Sequence, residues 1–148
     1  MAIHFESPTQ GETYEKVKQM LTEIFGEMLL VREDSPMFGI SMGTAFAQVL
    51  IAPWGDDDAV VVTRAYVVHN VEVSGPLSVF LLKANGTMRF GAFGADDDSV
   101  FFQHTILGTT LDKGELRSSV IAVVRTADDY DEQLVSQFGG QRALDVMR

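Results

Sequence analysis

The sequence predicts an α+β domain in which a mainly antiparallel sheet carries helices packed on one face. Three observations predict it. Apolar residues recur at three- and four-residue steps in two long segments, one early and one late in the chain. Between them lie β-branched and aromatic runs separated by short Gly, Pro and Asp turns, as in an antiparallel meander. These runs do not alternate singly with helices, which argues against a doubly wound parallel sheet.

Ser7-Pro8 starts the first helix, because Ser can cap free backbone N–H groups and Pro suits the first helical position. Tyr14, Val17, Leu21, Ile24 and Met28 form its apolar face, with Met20 and Phe25 beside them, and Gly26 marks its end. Leu29 to Arg32 reads as a short strand and Asp34-Ser35-Pro36 as a turn. Phe38 to Met42 and Ala45 to Ala52 are further strands, separated near Gly43. Pro53 to Asp58 is a turn into a long strand from Ala59 to Asn70. There Val60, Val62, Tyr66 and Val68 point one way, and Ala59, Val61, Ala65 and Val67 the other. A strand apolar on both faces belongs at the centre of a sheet or under a second cover.

Ser74-Gly75-Pro76 starts a second helix and Asn85-Gly86 stops it. Its segment LSVFLLKAN is apolar nearly all round, so it needs cover on most sides, from its own chain or from another. Met88 to Phe93 and Val100 to Thr109 are strands joined by Gly94 to Ser99. Asp112 with Glu115 three residues later resembles a capping box and opens a helix to about Phe138. Leu116, Val120, Val123, Ala127, Tyr130 and Leu134 are its buried stripe, with Asp128, Asp129, Asp131 and Glu132 largely outside it. Gly139-Gly140 ends it, and QRALDVMR is left as a tail.

Composition narrows the function. The 148 residues suit one domain, residues 1–148. With no cysteine there is no disulfide, thiolate nucleophile or thiolate zinc site. A net charge of −10 with scattered Lys and Arg disfavours nucleic acid and favours basic or amphipathic partners. The opening MAIHFESPTQ lacks the pattern of a signal peptide, and no apolar run reaches membrane-spanning length, so the chain reads as cytoplasmic with no membrane span.

The second half carries a recognisable pattern. Its residues are Leu77, Phe80, Leu81 and Asn85; Gly91 and Phe93; Ile106, Gly108 and Leu111; Ala127, Asp128, Tyr130 and Asp131; and Phe138, Gly139 and Gly140. Together they resemble the YbjN-like domain family, associated with bacterial sensory-transduction regulators, whose fold is similar to that of type III secretion chaperones. The resemblance implies a curved antiparallel sheet, two long helices on one side and a short middle helix at a dimer interface. It also implies chaperone-like protein or peptide binding with no established reaction.

The other candidate sites have plainer readings. Asp56-Asp57-Asp58 and Asp96-Asp97-Asp98 offer oxygen ligands for a cation, but lack the alternation of a calcium loop and read as solvated hairpin turns. His4, His69 and His104 form no HxH or HxxxH pair, and His104 reads as a structural histidine between Phe102 and Ile106. Gly39 to Gly43 spells GxSxG, but strand-like residues follow it where a nucleophile elbow needs a helix. No P-loop is present, and no cofactor or metal is expected. The sequence therefore predicts a non-enzymatic, chaperone-like binding or regulatory domain, with Leu77, Phe80, Leu81 and Ala84 as the candidate partner or homodimer interface. An ion- or ligand-sensing domain using the acidic turns is the alternative.

Overall fold

Seven strands form one antiparallel sheet in the computed structural model, which describes residues 2–146. In chain order the elements are α1 (Pro8–Phe25), a 3-10 turn (Gly26–Met28), β1 (Leu29–Val31), β2 (Met37–Met42), β3 (Ala45–Trp54), β4 (Asp58–His69), α2 (Gly75–Asn85), β5 (Ala92–Asp96), β6 (Ser99–Leu107), α3 (Lys113–Phe138), β7 (Gln141–Arg142) and α4 (Ala143–Val146). The sheet runs β1-β2-β3-β4-β6-β5, with β7 added to β4, so the strand apolar on both faces lies inside the sheet as its composition requires.

Local chemistry sets the helix starts. The Gln10 N–H donates to Ser7 Oγ at 3.1 Å, and the Glu115 N–H to Asp112 Oδ1 at 2.8 Å. Gln10 is buried, and its side chain donates to the Ile51 carbonyl at 2.9 Å, which fastens the start of α1 to β3. On the inner face of the sheet, Ala59, Val61, Ala65 and Val67 of β4 join Val17 and Leu21 of α1 and Leu116, Val120, Val123 and Leu134 of α3 in one buried cluster. The two long helices thus share one side of the sheet.

Several boundaries differ from expectation, each for a physical reason. β3 continues through Pro53 to Trp54, because β2 pairs no further than Leu50 and the missing proline N–H faces no strand. A register shift between Tyr66 and Val68 turns Val68 from the face of Tyr66 into the core beside Val67. The strand expected from Met88 begins only at Ala92. Gly91 adopts φ +78° with its Cα pressed against the Gln103 backbone, and the Asn85 side chain takes over from a strand partner. Its Oδ1 accepts from the Phe93 N–H at 2.6 Å and its Nδ2 donates to the Phe93 carbonyl at 3.3 Å. The tail also folds: Gln141 and Arg142 pair with His69 and Val68, and α4 follows. Met147 and Arg148 lie outside the described residues.

Asn85→Ala is expected to cost about 1–3 kcal/mol, since it orphans both backbone groups of Phe93. Urea denaturation reads the loss, and amide exchange should show it concentrated in β5.

Candidate functional site

α1 and α3 cover one face of the sheet, and most side chains of the opposite face are partly buried or exposed. The strand register sorts that outer face into rows. Met37, Leu50, Val62 and Thr105 form one row across β2, β3, β4 and β6, and Ala52, Val60 and Leu107 form the next. Trp54 continues the β3 column at 62 % exposure and Leu107 stands on β6 at 46 %, while Leu30 of β1, 57 % exposed, lies beyond Gly39 at the end of the row that holds Gln48 and Arg64. This half of the face is largely apolar, with Trp54 and Leu107 exposed and Met37, Leu50, Ala52, Val60 and Val62 half-buried between them.

A polar band borders it. Gln48, Arg64 and Gln103 stand side by side on β3, β4 and β6. Arg64 donates through Nε and Nη2 to Gln103 Oε1 at 2.9 and 2.6 Å, and its guanidinium lies 3.8 Å from the Phe101 ring centre. The Tyr66 hydroxyl donates to Asp96 Oδ2 at 2.6 Å, and this carboxylate holds the phenol pKa above its usual value. The rings of Phe46 and Phe101 lie flat over glycines on the neighbouring strands: a Cβ on Gly39 or Gly94 would come within 2.6 Å of them.

Beyond this band the sheet opens. β3 pairs with β4 only as far as Gln48 and Arg64, yet β3 stays with β2 back to Ala45 and β4 stays with β6 on to Val68. β7 takes the same edge of β4 from Val68 onward. Ala65, Tyr66 and Val67 are left with no strand on that side, and the diverging ends enclose a cavity of about 280 Å³. It is lined by Phe46, Gln48 and Tyr66 from the outer face and by Ala127, Asp128 and Asp131 of α3 from behind. Asp131 was expected on the solvent side of α3. It is 7 % exposed, because it lies four residues after Ala127 and three before Leu134, on the buried stripe. Burial pushes its carboxyl pKa up, opposed by the hydrogen bond from the Glu132 N–H. The Asp128 carboxylate accepts from the Thr44 hydroxyl across the cavity rim.

The other sequence-predicted residues are placed as follows. On α2, Leu77 and Leu81 are buried in the chain's own core, and Phe80 and Ala84 pack half-buried against it. The helix presents Val79 and Leu82 outward, at 51 % and 71 % exposure. The two acidic turns stay apart. Asp58 Oδ1 accepts from the Ala59 and Thr109 N–H groups, Asp96 meets Tyr66, and Asp56, Asp57, Asp97 and Asp98 are exposed. Among the described residues no three His, Asp or Glu side chains assemble a metal site. His69 Nδ1 is 2.7 Å from Ser99 Oγ. Ser41 of the GxSxG stretch lies exposed near the end of β2, before a strand-to-strand turn and not on a strand-to-helix turn.

His104 sits on the inner face with Nδ1 2.7 Å from Ser119 Oγ of α3, and burial lowers its pKa. The folded state therefore favours the neutral ring. Its contribution to stability is fully present above the unfolded histidine pKa of about 6.5 and is lost as pH falls toward the lower folded value. Replacing His104 with Gln should flatten the decline of urea midpoints on the acid side of neutrality.

A model of the family described as T3SS (YopN, CesT) and YbjN peptide-binding chaperone 1 matches residues 12–146, which span every element but the first turn of α1. No curated protein matches the chain. Among the described residues no helix is long and apolar enough to cross a membrane.

Proposed function

The chain belongs to the family of T3SS and YbjN peptide-binding chaperones, and we propose that it holds the apolar side of an amphipathic client segment against the outer face of its sheet, without catalysing a reaction. The supporting observation is the apolar half of that face, from Met37 through Leu50, Val62 and Val60 to Leu107 and Trp54. The charge of −10 adds a preference for basic segments. A regulatory role in the cytoplasm, exercised by holding or releasing a client, belongs to the same reading.

Trp54 is the single tryptophan and lies on this surface, so the protein reports its own binding. Titration with a capped peptide of alternating leucine and lysine should shift Trp54 emission to the blue and saturate. An unchanged spectrum, with no binding by calorimetry, counts against the reading.

A second contact is supported by α2. Leu77, Phe80, Leu81 and Ala84 fix this helix to the core, and Val79 and Leu82 remain as an apolar strip on its outside. In the homodimer reading this strip meets its copy in a partner chain. The wild type should then sediment as a dimer at micromolar concentration and Leu82→Asp as a monomer. Because Leu82 is 71 % exposed, its substitution should leave stability within about 0.5 kcal/mol. A wild type that sediments as a monomer removes the dimer.

A further inference from the structure

We propose that the cavity between the diverging ends of β3 and β4 receives a lysine or arginine side chain of the bound peptide, and that Asp131 meets its cationic head. The proposal rests on the peptide-binding reading above and gives it a specificity.

The shape comes from the topology. β4 is paired with β3 up to Arg64 and with β7 from Val68, which leaves a three-residue window at Ala65, Tyr66 and Val67. Through it the outer face of the sheet, where the peptide lies, communicates with α3 behind. The window opens beside the polar band that borders the apolar patch, so one extended segment can cover the patch and reach the cavity.

The chemistry comes from the lining. Ala45, Val67, Ala127 and Leu144 supply apolar wall, Asp128 and Asp131 supply negative charge on the α3 side, and Arg64 and His69 line the β4 side. A long aliphatic stem ending in a cation matches that order of surfaces. A free metal ion does not match it, since among the described residues no three carboxylate or imidazole groups converge.

Asp131 is the second, independent sign. It is more than nine-tenths buried, lines the cavity, and takes its one hydrogen bond from the backbone N–H of the adjoining Glu132. A buried carboxylate without a direct ion pair is costly. Among the described residues no ion pair reaches Asp131: Arg142 acts on it through space and is paired with Asp145 at 3.1 Å and Glu132 at 3.5 Å, while Arg64, on the cavity wall, is held by Gln103, the Phe101 ring and Asp96 at 3.7 Å. Asp128 adds repulsion, and burial raises the Asp131 pKa. An incoming ammonium or guanidinium group would supply the direct ion pair, and the cost borne in the empty state becomes selectivity in the bound one.

The test uses short capped peptides of alternating leucine and serine, carrying lysine, arginine or norleucine at the centre, with affinities from fluorescence anisotropy. The lysine and arginine peptides should bind about tenfold or more tighter than the norleucine peptide, as expected for one charge-assisted buried contact. Asp131→Asn should erase that preference. Equal affinities in the wild type, or a preference that survives in Asp131→Asn, overturn the proposal while leaving peptide binding intact. If no peptide of the series binds, the peptide-binding reading falls together with this one. Since the variant removes a buried charge, it should melt at or above the wild-type temperature. A second readout needs no variant: the Asp131 carboxyl ¹³C resonance should move saturably with the lysine peptide and stay fixed with the norleucine peptide. A resonance unmoved by both overturns the proposal.

Discussion

Phe102→Ala is expected to destabilise the protein by about 3–5 kcal/mol, the range for emptying a fully enclosed aromatic site. Phe102 has no exposed surface and lies on β6 opposite Ala65 of β4 on one side and Phe93 of β5 on the other. Its ring meets that of Phe93 edge-on at 4.9 Å, Phe93 meets Tyr130 of α3 at 5.1 Å, and Tyr130 meets Phe80 of α2 at 6.4 Å. One truncation thus loosens the junction of the sheet with two helices. The backbone of Gly91 packs on the same ring, so the cavity cannot close by a small side-chain shift alone. Against a total stability of roughly 5–15 kcal/mol this is a large share. In thermal unfolding it should appear as a fall of roughly 10 °C. Phe102→Leu should recover more than half of it. A fall of only a degree or two would show that the aromatic junction is not where the fold is held.

Several of the residues that made the family pattern legible belong to that junction. Phe80, Asn85, Gly91, Phe93 and Tyr130 are held together by ring contacts, by the two hydrogen bonds of Asn85, and by the close approach at Gly91. A motif of this kind specifies architecture, so it announced the fold and was silent on what the fold binds. Helix starts were readable because they are local: Ser7 and Asp112 cap within three residues. The inner face of β4 was readable because strand alternation is local too. What could not be read depends on distant pairing. No local pattern states that β3 joins β4 only from Gln48 onward, or that Gln141 and Arg142 return to Val68 and His69. The cavity therefore had no sequence signature as a whole. Asp131 did have one, because its spacing from Ala127 and Leu134 places it on the apolar stripe, and its charge argued it off. On α2, uniformly apolar composition hid which side is covered, and only packing separates Leu77 and Leu81 from Val79 and Leu82.

Trp54→Ser should lower the affinity for the leucine–lysine peptide by about tenfold to thirtyfold, the loss typical of an aromatic anchor in an interface. The indole stands at the end of β3 beyond the row of Ala52, Val60 and Leu107, where it walls one end of the apolar patch. In the free protein it is 62 % exposed, so removing it takes little from the fold, and melting should change by no more than about 0.5 kcal/mol. Affinity and stability should therefore separate at this position, as they cannot at Phe102. Leu107→Ser should repeat the effect at smaller size, because Leu107 is the exposed member of the neighbouring row. The variant lacks the fluorophore, so the measurement is calorimetric. Since the contact replaces water over apolar surface, the wild type should also bind with a negative heat-capacity change that shrinks in the variant. If both substitutions leave affinity unaltered, the client lies elsewhere, and the strip of Val79 and Leu82 on α2 becomes the surface to test.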